Sequence, residues 1–420
     1  MTIDKALFRT LIHEGQEWVR DIELYERPFD WEDEGRYVLV GIRQAGKSYL
    51  LMRRARQLLA SGLKLSQVVY INFDDERLLG MTADQLDLIL QAYHVMSDEK
   101  PLLLFDEIQN IEGWEHFARR LANQRYRVLI TGSNARMLSR DIMTTLGGRY
   151  QEALVLPYSF REYLEAQGIA LTPEWEWDSQ RYQVQQQFNQ YLQWGGFPEL
   201  LLFRNKRKWL NDLYEKILLG DVVSRNHIRN ELPLRLLIKR LAESVMQPTS
   251  CNRLAHLVKS VGVNITVSGV IDYLSHVQDA YLMFEFENYA SRFVDRQTIK
   301  KRYFIDNGLL SIFLTDNVAP LLENLCALHL YRQHGHEVYF YHNSIEVDFY
   351  LPASQCAIQV ACTLADQETL RRETSALIKL SGHLPVARML IITLDDERLI
   401  PTPNGPDIQV LPAWKWLLQP

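Results

Sequence analysis

Cysteine is scarce: 4 of 420 residues. Cys251, Cys326, Cys356 and Cys362 are too few and too irregularly spaced for a disulfide framework or a zinc site. Cys356 and Cys362 are expected to pack as small apolar side chains in a reducing compartment. No run of about eighteen apolar residues occurs, so no membrane-crossing helix and no membrane partner is expected. The opening residues Met1-Thr2-Ile3-Asp4-Lys5 carry no apolar secretory core, which makes the expected location cytoplasmic. The net charge is only −6, so no global field draws the chain to nucleic acid, and such binding would need a local basic patch. Internal repeats are absent, and the Gln-rich patch near residue 185 is too short to behave as a low-complexity segment. Apolar material is plentiful: 47% of the residues are hydrophobic and 11% aromatic, enough for roughly two or three cores and too much for a disordered chain.

The most informative segment is Gly41-Ile42-Arg43-Gln44-Ala45-Gly46-Lys47-Ser48. It follows the apolar run Tyr37-Val38-Leu39-Val40 and precedes a helix-like stretch from Tyr49 to Ala60. Strand, glycine-bounded loop and helix, in that order, form the context in which this pattern captures phosphate. Main-chain N–H groups of the loop and of the helix start, through Tyr49, would point at an anion, where the helix dipole favours negative charge. Lys47 would reach the terminal phosphates as a point charge, and the Ser48 hydroxyl would ligate Mg2+. ATP with Mg2+ is the expected ligand.

A second strand pattern, Pro101-Leu102-Leu103-Leu104-Phe105, ends in Asp106 and Glu107. In a phosphate-loop enzyme the first acid holds Mg2+ through water and the second polarises the attacking water, so Asp106 is a metal candidate and Glu107 the catalytic base. A third run, Tyr126-Arg127-Val128-Leu129-Ile130, leads into Thr131-Gly132-Ser133-Asn134. Ser133 or Asn134, at the carboxyl end of a strand lying between the two motif strands, would face the γ-phosphate as a sensor. Thr131 and Gly132 read as turn chemistry. Gly147-Gly148 then presents Arg149, a candidate finger for transition-state charge in its own subunit or a neighbour's, which makes a homo-oligomer possible.

The loop Gly41 to Ser48, the string Leu104-Phe105-Asp106-Glu107-Ile108-Gln109, Thr131-Gly132-Ser133, Gly148-Arg149 and the segment Leu156 to Tyr163 together resemble an AAA-type ATPase family of bacteria and archaea. Members of that family join the ATPase to a carboxyl-terminal domain of unknown function. Trp194-Gly195-Gly196-Phe197-Pro198-Glu199 and Lys301 to Leu309 are similar to that second domain, so the resemblance covers nearly the whole chain. It implies an α/β fold: a P-loop NTPase parallel sheet flanked by helices, then a helical and winged-helix domain, then a small α/β domain like restriction endonucleases.

The corresponding domain expectations are a helical lead-in over 1–35, the ATPase over 36–165, a linker over 166–187, a helical and winged-helix domain over 188–295, and a last domain over 296–420. Trp114, Phe117 and Leu121 describe a helix face packed on the first sheet. Asp74 and Asp75, after the strand pattern Val68 to Phe73, read as capping or solvated acids. Helix patterns over Ser250 to Lys259 and Thr266 to Ala280, joined through Gly262 and followed by a strand from Tyr281, are a helix-turn-helix with a wing. No Lys or Arg lies between Lys259 and Arg292, which favours a packing or protein-contact role over DNA reading. Arg204-Asn205-Lys206-Arg207-Lys208 is the better phosphate-contact candidate, although such charge runs are commonly solvated helix faces.

In the last domain, Glu323 on a helix, Asp348 on a second strand and Gln359 and Ala361 on a third follow the order of the PD-(D/E)xK nuclease fold. A nuclease of that kind needs a carboxylate and a lysine where Gln359 and Ala361 stand. Cleavage is therefore not expected, and a silent binding fold is. The leading functional reading is an Mg2+-dependent ATPase whose hydrolysis remodels or moves a client, possibly nucleic acid, held by the carboxyl-terminal domains. A slow nucleotide switch that recognises a protein partner in regulation or defence is the alternative, and an ATP-gated DNA nuclease the weaker one.

Overall fold

The computed structural model describes residues 3–138, 140–289, 296, 298–315, 318–403 and 405–419. The chain forms two compact units, residues 1–156 with 279–281, and residues 157–278 with 282–420.

In the first unit, α1 (Lys5–Asp21) starts at Asp4, whose side chain accepts a hydrogen bond from the Leu7 amide at 2.9 Å, and buries Leu7, Phe8, Leu11, Ile12 and Val19. The helix stops there. Ile22 is extended, and no helix forms before the first strand, so the helical lead-in expected over 1–35 is helical only to residue 21. Pro28 disfavours helix at Arg27, so α1 cannot continue through that position to residue 35.

The elements then alternate: β1 (Tyr37–Val40), α2 (Lys47–Ala60), β2 (Val68–Asn72), α3 (Asp87–Tyr93), β3 (Leu102–Asp106), α4 (Trp114–Asn123), β4 (Arg127–Gly132), α5 (Arg140–Leu146) and β5 (Gln151–Leu154). The strands form one parallel sheet in the order β2-β3-β4-β1-β5. Strands β1 to β4 are buried almost throughout, as expected of a parallel sheet covered on both faces, and this explains their continuous apolar runs. Trp114, Phe117 and Leu121 of α4 are buried in the core of this unit, as their spacing predicts. Asp75 caps a short turn by accepting from the Arg77 amide. Because β4 lies between β1 and β3, three strand ends converge at one edge.

The second unit opens with α6 (Phe160–Ala166), whose Ser159 and Glu162 form a reciprocal capping box. Next come α7 (Gln180–Trp194), α8 (Lys206–Lys216), a π-helical continuation over Ile217–Ser224, α9 (Leu232–Glu243), β6 (Thr249–Ser250), α10 (Cys251–Lys259), α11 (Val267–Asp279), β7 (Met283–Asn288), β8 (Ile299–Phe304) and α12 (Asn307–Ser311). The chain ends with α13 (Val318–His334), β9 (Tyr339–His342), β10 (Glu346–Leu351), β11 (Cys356–Val360), α14 (Gln367–Ser381), β12 (Arg388–Thr393), β13 (Arg398–Ile400), β14 (Ile408–Pro412) and α15 (Ala413–Trp416).

The nine strands found among the described residues of this unit join one sheet, in the order β13-β14-β12-β11-β10-β9-β7-β8-β6. The antiparallel hairpin of β7 and β8 spans residues 295 and 296, and β7 also pairs with β9, so hydrogen bonding is continuous across the boundary expected there. Residues 166–187, read as a linker, contain the start of α7, while Trp175 packs edge-on to Trp414 at 5.8 Å and Glu176 pairs with Lys415 at 2.7 Å. The two segments that carry the resemblance to the family's second domain meet in the core. Asp306 accepts from the amides of Gly196 and Gly308 at 2.7 Å each, and a Cβ at Gly195 would lie 2.0 Å from the Asp306 carboxylate.

Candidate nucleotide site

The loop between β1 and α2 is shaped by its backbone. Gln44 has φ 61° and Gly46, at the N-cap of α2, has φ 92°. A Cβ at Gly41 would meet the Val155 carbonyl at 2.1 Å, so only glycine lets the loop leave the strand there. Gly46 offers no side chain to cap α2, leaving the first helical turn to satisfy its N–H groups with an anion. The Lys47 ammonium is buried and donates to the carbonyls of Gly41 and Ile42 at 3.0 Å each. It is thereby bent back over its own loop. Ile42 and Ala45 are buried, Arg43 lies 3.9 Å from Asp74, and Tyr49 is exposed one turn into α2.

The two acids stand at the end of β3. Asp106 is buried and accepts from the Tyr70 hydroxyl at 2.8 Å and from the Thr131 hydroxyl. Burial first, and the Glu107 charge second, push the Asp106 carboxyl above its usual range, opposed by hydrogen bonds from Ser48, Thr131 and Tyr70. Ser48 and Asp106, the two expected metal ligands, are thus adjacent.

Glu107 has a left-handed backbone, φ 53° and ψ 39°, uncommon for a residue with a Cβ. Its amide donates to the Thr131 hydroxyl at 3.0 Å, which supports this turn. Its carboxylate lies 3.9 Å from the Lys47 ammonium, accepts from Ser133 at 3.1 Å and accepts from the Gln109 amide. Burial pulls the Glu107 carboxyl upward, yet Lys47, Gln109, Arg43 and Ser133 outweigh it and hold it below the usual carboxylate range. The Glu107 carboxylate is thus ionised, oriented by its donors and set beside a buried ammonium.

The structure therefore brings Lys47, Ser48, Asp106, Glu107 and Ser133 together. Asn134 follows Ser133 at the end of β4, where its carbonyl accepts from the Met137 amide. Arg149 is exposed, and its guanidinium donates to the carbonyls of Leu146 and Gly147 in its own turn. Thr131 corrects an expectation: it belongs to β4, is fully buried, and links Asp106 to the Glu107 amide instead of serving a turn. Tyr70, Gln109 and Arg27 were also not singled out by sequence. Arg27 donates to the Ala45 carbonyl at 2.7 Å and to the Leu156 carbonyl, and so braces the loop. Thr131 had a sequence signal in its place directly after the apolar run Tyr126 to Ile130, and Gln109 in its place in the string that follows the acids.

These strand ends and this loop define the class: the first unit is an AAA-type P-loop ATPase domain, and a family model described as "AAA domain" matches residues 33–164. A second model, "Domain of unknown function (DUF8612)", matches residues 185–318. The chain is 30% identical over 304 residues to an uncharacterized protein of Haemophilus influenzae, covering 70% of this chain and 74% of that protein, and it belongs to the same family. An uncharacterized protein of Methanocaldococcus jannaschii is 29% identical over 394 residues, covering 91% of this chain and 88% of that one. The Walker-type ATPase of Pyrococcus abyssi is a similar solved structure, with TM-score 0.45 and 15% identity, covering 70% of this chain and 99% of that one.

Proposed function

We propose that the protein hydrolyses ATP with Mg2+ at the first unit and uses the nucleotide cycle to change the hold of its second unit on a client. The observation that carries this reading is the Glu107 carboxylate, ionised and oriented by Ser133 and Gln109, beside the Lys47 ammonium. The donor set fits the cofactor: an uncapped helix start for phosphate, an ammonium, a hydroxyl and a buried carboxylate for a hard cation. Held by Ser48 and Asp106, Mg2+ would supply positive charge to offset that of the phosphates.

Lys47 would exchange its bonds to Gly41 and Ile42 for phosphate oxygens. Ser48 and Asp106 would hold the cation, directly or through water. Glu107 would take the proton of the attacking water, and Ser133 and Asn134 would register the terminal phosphate. Arg149, exposed and folded onto its own turn, suits a finger offered to a neighbouring subunit better than one acting on its own site.

In the second unit, β6, α10, α11 and the β7–β8 hairpin have the order of a winged helix, with β6 paired to β8. Its second helix carries no Lys or Arg and exposes Ile271, which supports a protein client over DNA. The protein is taken to act in the cytoplasm.

Steady-state ATP hydrolysis with and without DNA, RNA and cellular protein fractions tests the reading. Glu107→Gln is expected to lower turnover roughly 10²- to 10⁴-fold. Normal turnover in that variant would remove the assignment, and strong stimulation by DNA alone would overturn the preference for a protein client.

A further inference from the structure

The second unit buries a lysine that nothing above uses. Lys301, on β8, has a side chain that is 0% exposed. Its ammonium lies 3.3 Å from Oε1 of Glu323 on α13, 3.0 Å from Oδ1 of Asp348 and 3.6 Å from Oε1 of Glu346, both on β10. The Phe340 ring lies 5.9 Å away on β9. Glu323 is only 1% exposed and Asp348 14%, while Glu346 reaches solvent at 48%. One ammonium thus sits where acids from two elements converge.

The acids are fixed from behind. Tyr303 donates to the same Glu323 oxygen at 2.9 Å, and the Val360 amide donates to the second oxygen of Asp348 at 3.0 Å. Gln359, which stands where a third metal-binding acid was looked for, is spent internally: its Oε1 accepts from the Asp348 amide at 2.7 Å, and its Nε2 donates to Glu373 at 2.7 Å. Among the described residues no group of three or more His, Cys, Asp and Glu side chains has metal-holding geometry. Burial by itself favours a neutral lysine, but Glu323, Asp348 and Glu346 outweigh it and raise the lysine above its ordinary range.

We propose that Lys301 is a built-in substitute for a divalent cation: its ammonium fills the point between Glu323 and Asp348, ties β8, α13 and β10 together, and leaves this end of the sheet indifferent to metal. Acids that converge on one buried point need a positive charge there, and a covalently attached one cannot be chelated away. The proposal concerns the second unit alone and stands whether or not the first unit hydrolyses ATP.

Mn2+ is the probe, used with the full chain free of nucleotide and followed by paramagnetic resonance and thermal melting. The wild type is expected to take up no Mn2+ that Asp348→Asn abolishes, and its melting should not respond at this site. Lys301→Met, which removes the charge and keeps the length, is expected to melt roughly 5–15 °C lower, to regain much of that with millimolar Mn2+, and to lose the recovery when combined with Asp348→Asn. Uptake by the wild type that depends on Asp348 would overturn the proposal, and this arm does not depend on any variant folding. So would a folded Lys301→Met protein whose melting ignores Mn2+.

Discussion

Thr131 shows how much one buried hydroxyl can organise. It donates to Asp106 and accepts from the Glu107 amide, so it fixes the buried acid that ends β3 and the left-handed turn that carries Glu107. Removing it leaves a buried carboxylate with one donor fewer and a half-buried amide without its acceptor. Thr131→Val is therefore expected to destabilise the protein by about 1–3 kcal/mol, while Thr131→Ser keeps most of the stability. Urea unfolding measures both, and equal loss in the two variants would mean that the methyl group matters instead. The acids, Lys47 and Ser48 were legible in the sequence because each belongs to a local string whose chemistry is complete within a few residues. Thr131 and Tyr70 were not, because their value depends on which strands are neighbours, while Gln109, two residues past Glu107, stood in the string that carries the family resemblance without a role of its own. Tyr70 reaches Asp106 from β2, across 36 residues of chain.

At the scale of elements, the phosphate loop is held from outside its own motif. Arg27, in the extended segment after α1, donates to the Ala45 carbonyl within the loop and to the Leu156 carbonyl past β5. Arg27→Ala leaves every phosphate-facing residue in place yet frees the loop, and ATP affinity is expected to fall roughly fivefold; unchanged affinity by calorimetry would show that the loop needs no brace. Strands β1 to β4 were read to within two residues at each end, because parallel strands buried on both faces declare themselves as unbroken apolar runs, whereas β5, largely exposed and without such a run, was not read. The lead-in was overextended, since Leu7, Leu11, Trp18 and Ile22 keep helical spacing up to the point where the chain turns extended. The boundary near 295 was placed after the winged-helix pattern, whose strand starts at Tyr281. The hairpin made by β7 and β8 joins that strand to the later ones through hydrogen bonds that no local pattern announces.

At the scale of the molecule, the second unit is closed by a buried acid. Asp306 joins the Gly195-Gly196 turn after α7 to the start of α12. Burial pushes its carboxyl up to about 6, against the pull of the amides of Gly196, Gly308 and Leu309. A carboxyl raised in the folded state gives stability that is fully present below its unfolded value, near 4, and is lost as pH rises through about 6. Between those limits Asp306→Asn is expected to flatten the fall in melting temperature with rising pH, and an unaltered profile would assign the dependence to another group. The account as a whole rests on phosphate capture by the loop after β1. Titration calorimetry of the full chain with ATP and Mg2+ tests it most directly. Wild type and Glu107→Gln should bind with similar affinity, and Lys47→Ala roughly 10- to 100-fold more weakly; no uptake by folded wild-type protein, or equal affinity in the Lys47 variant, would contradict it.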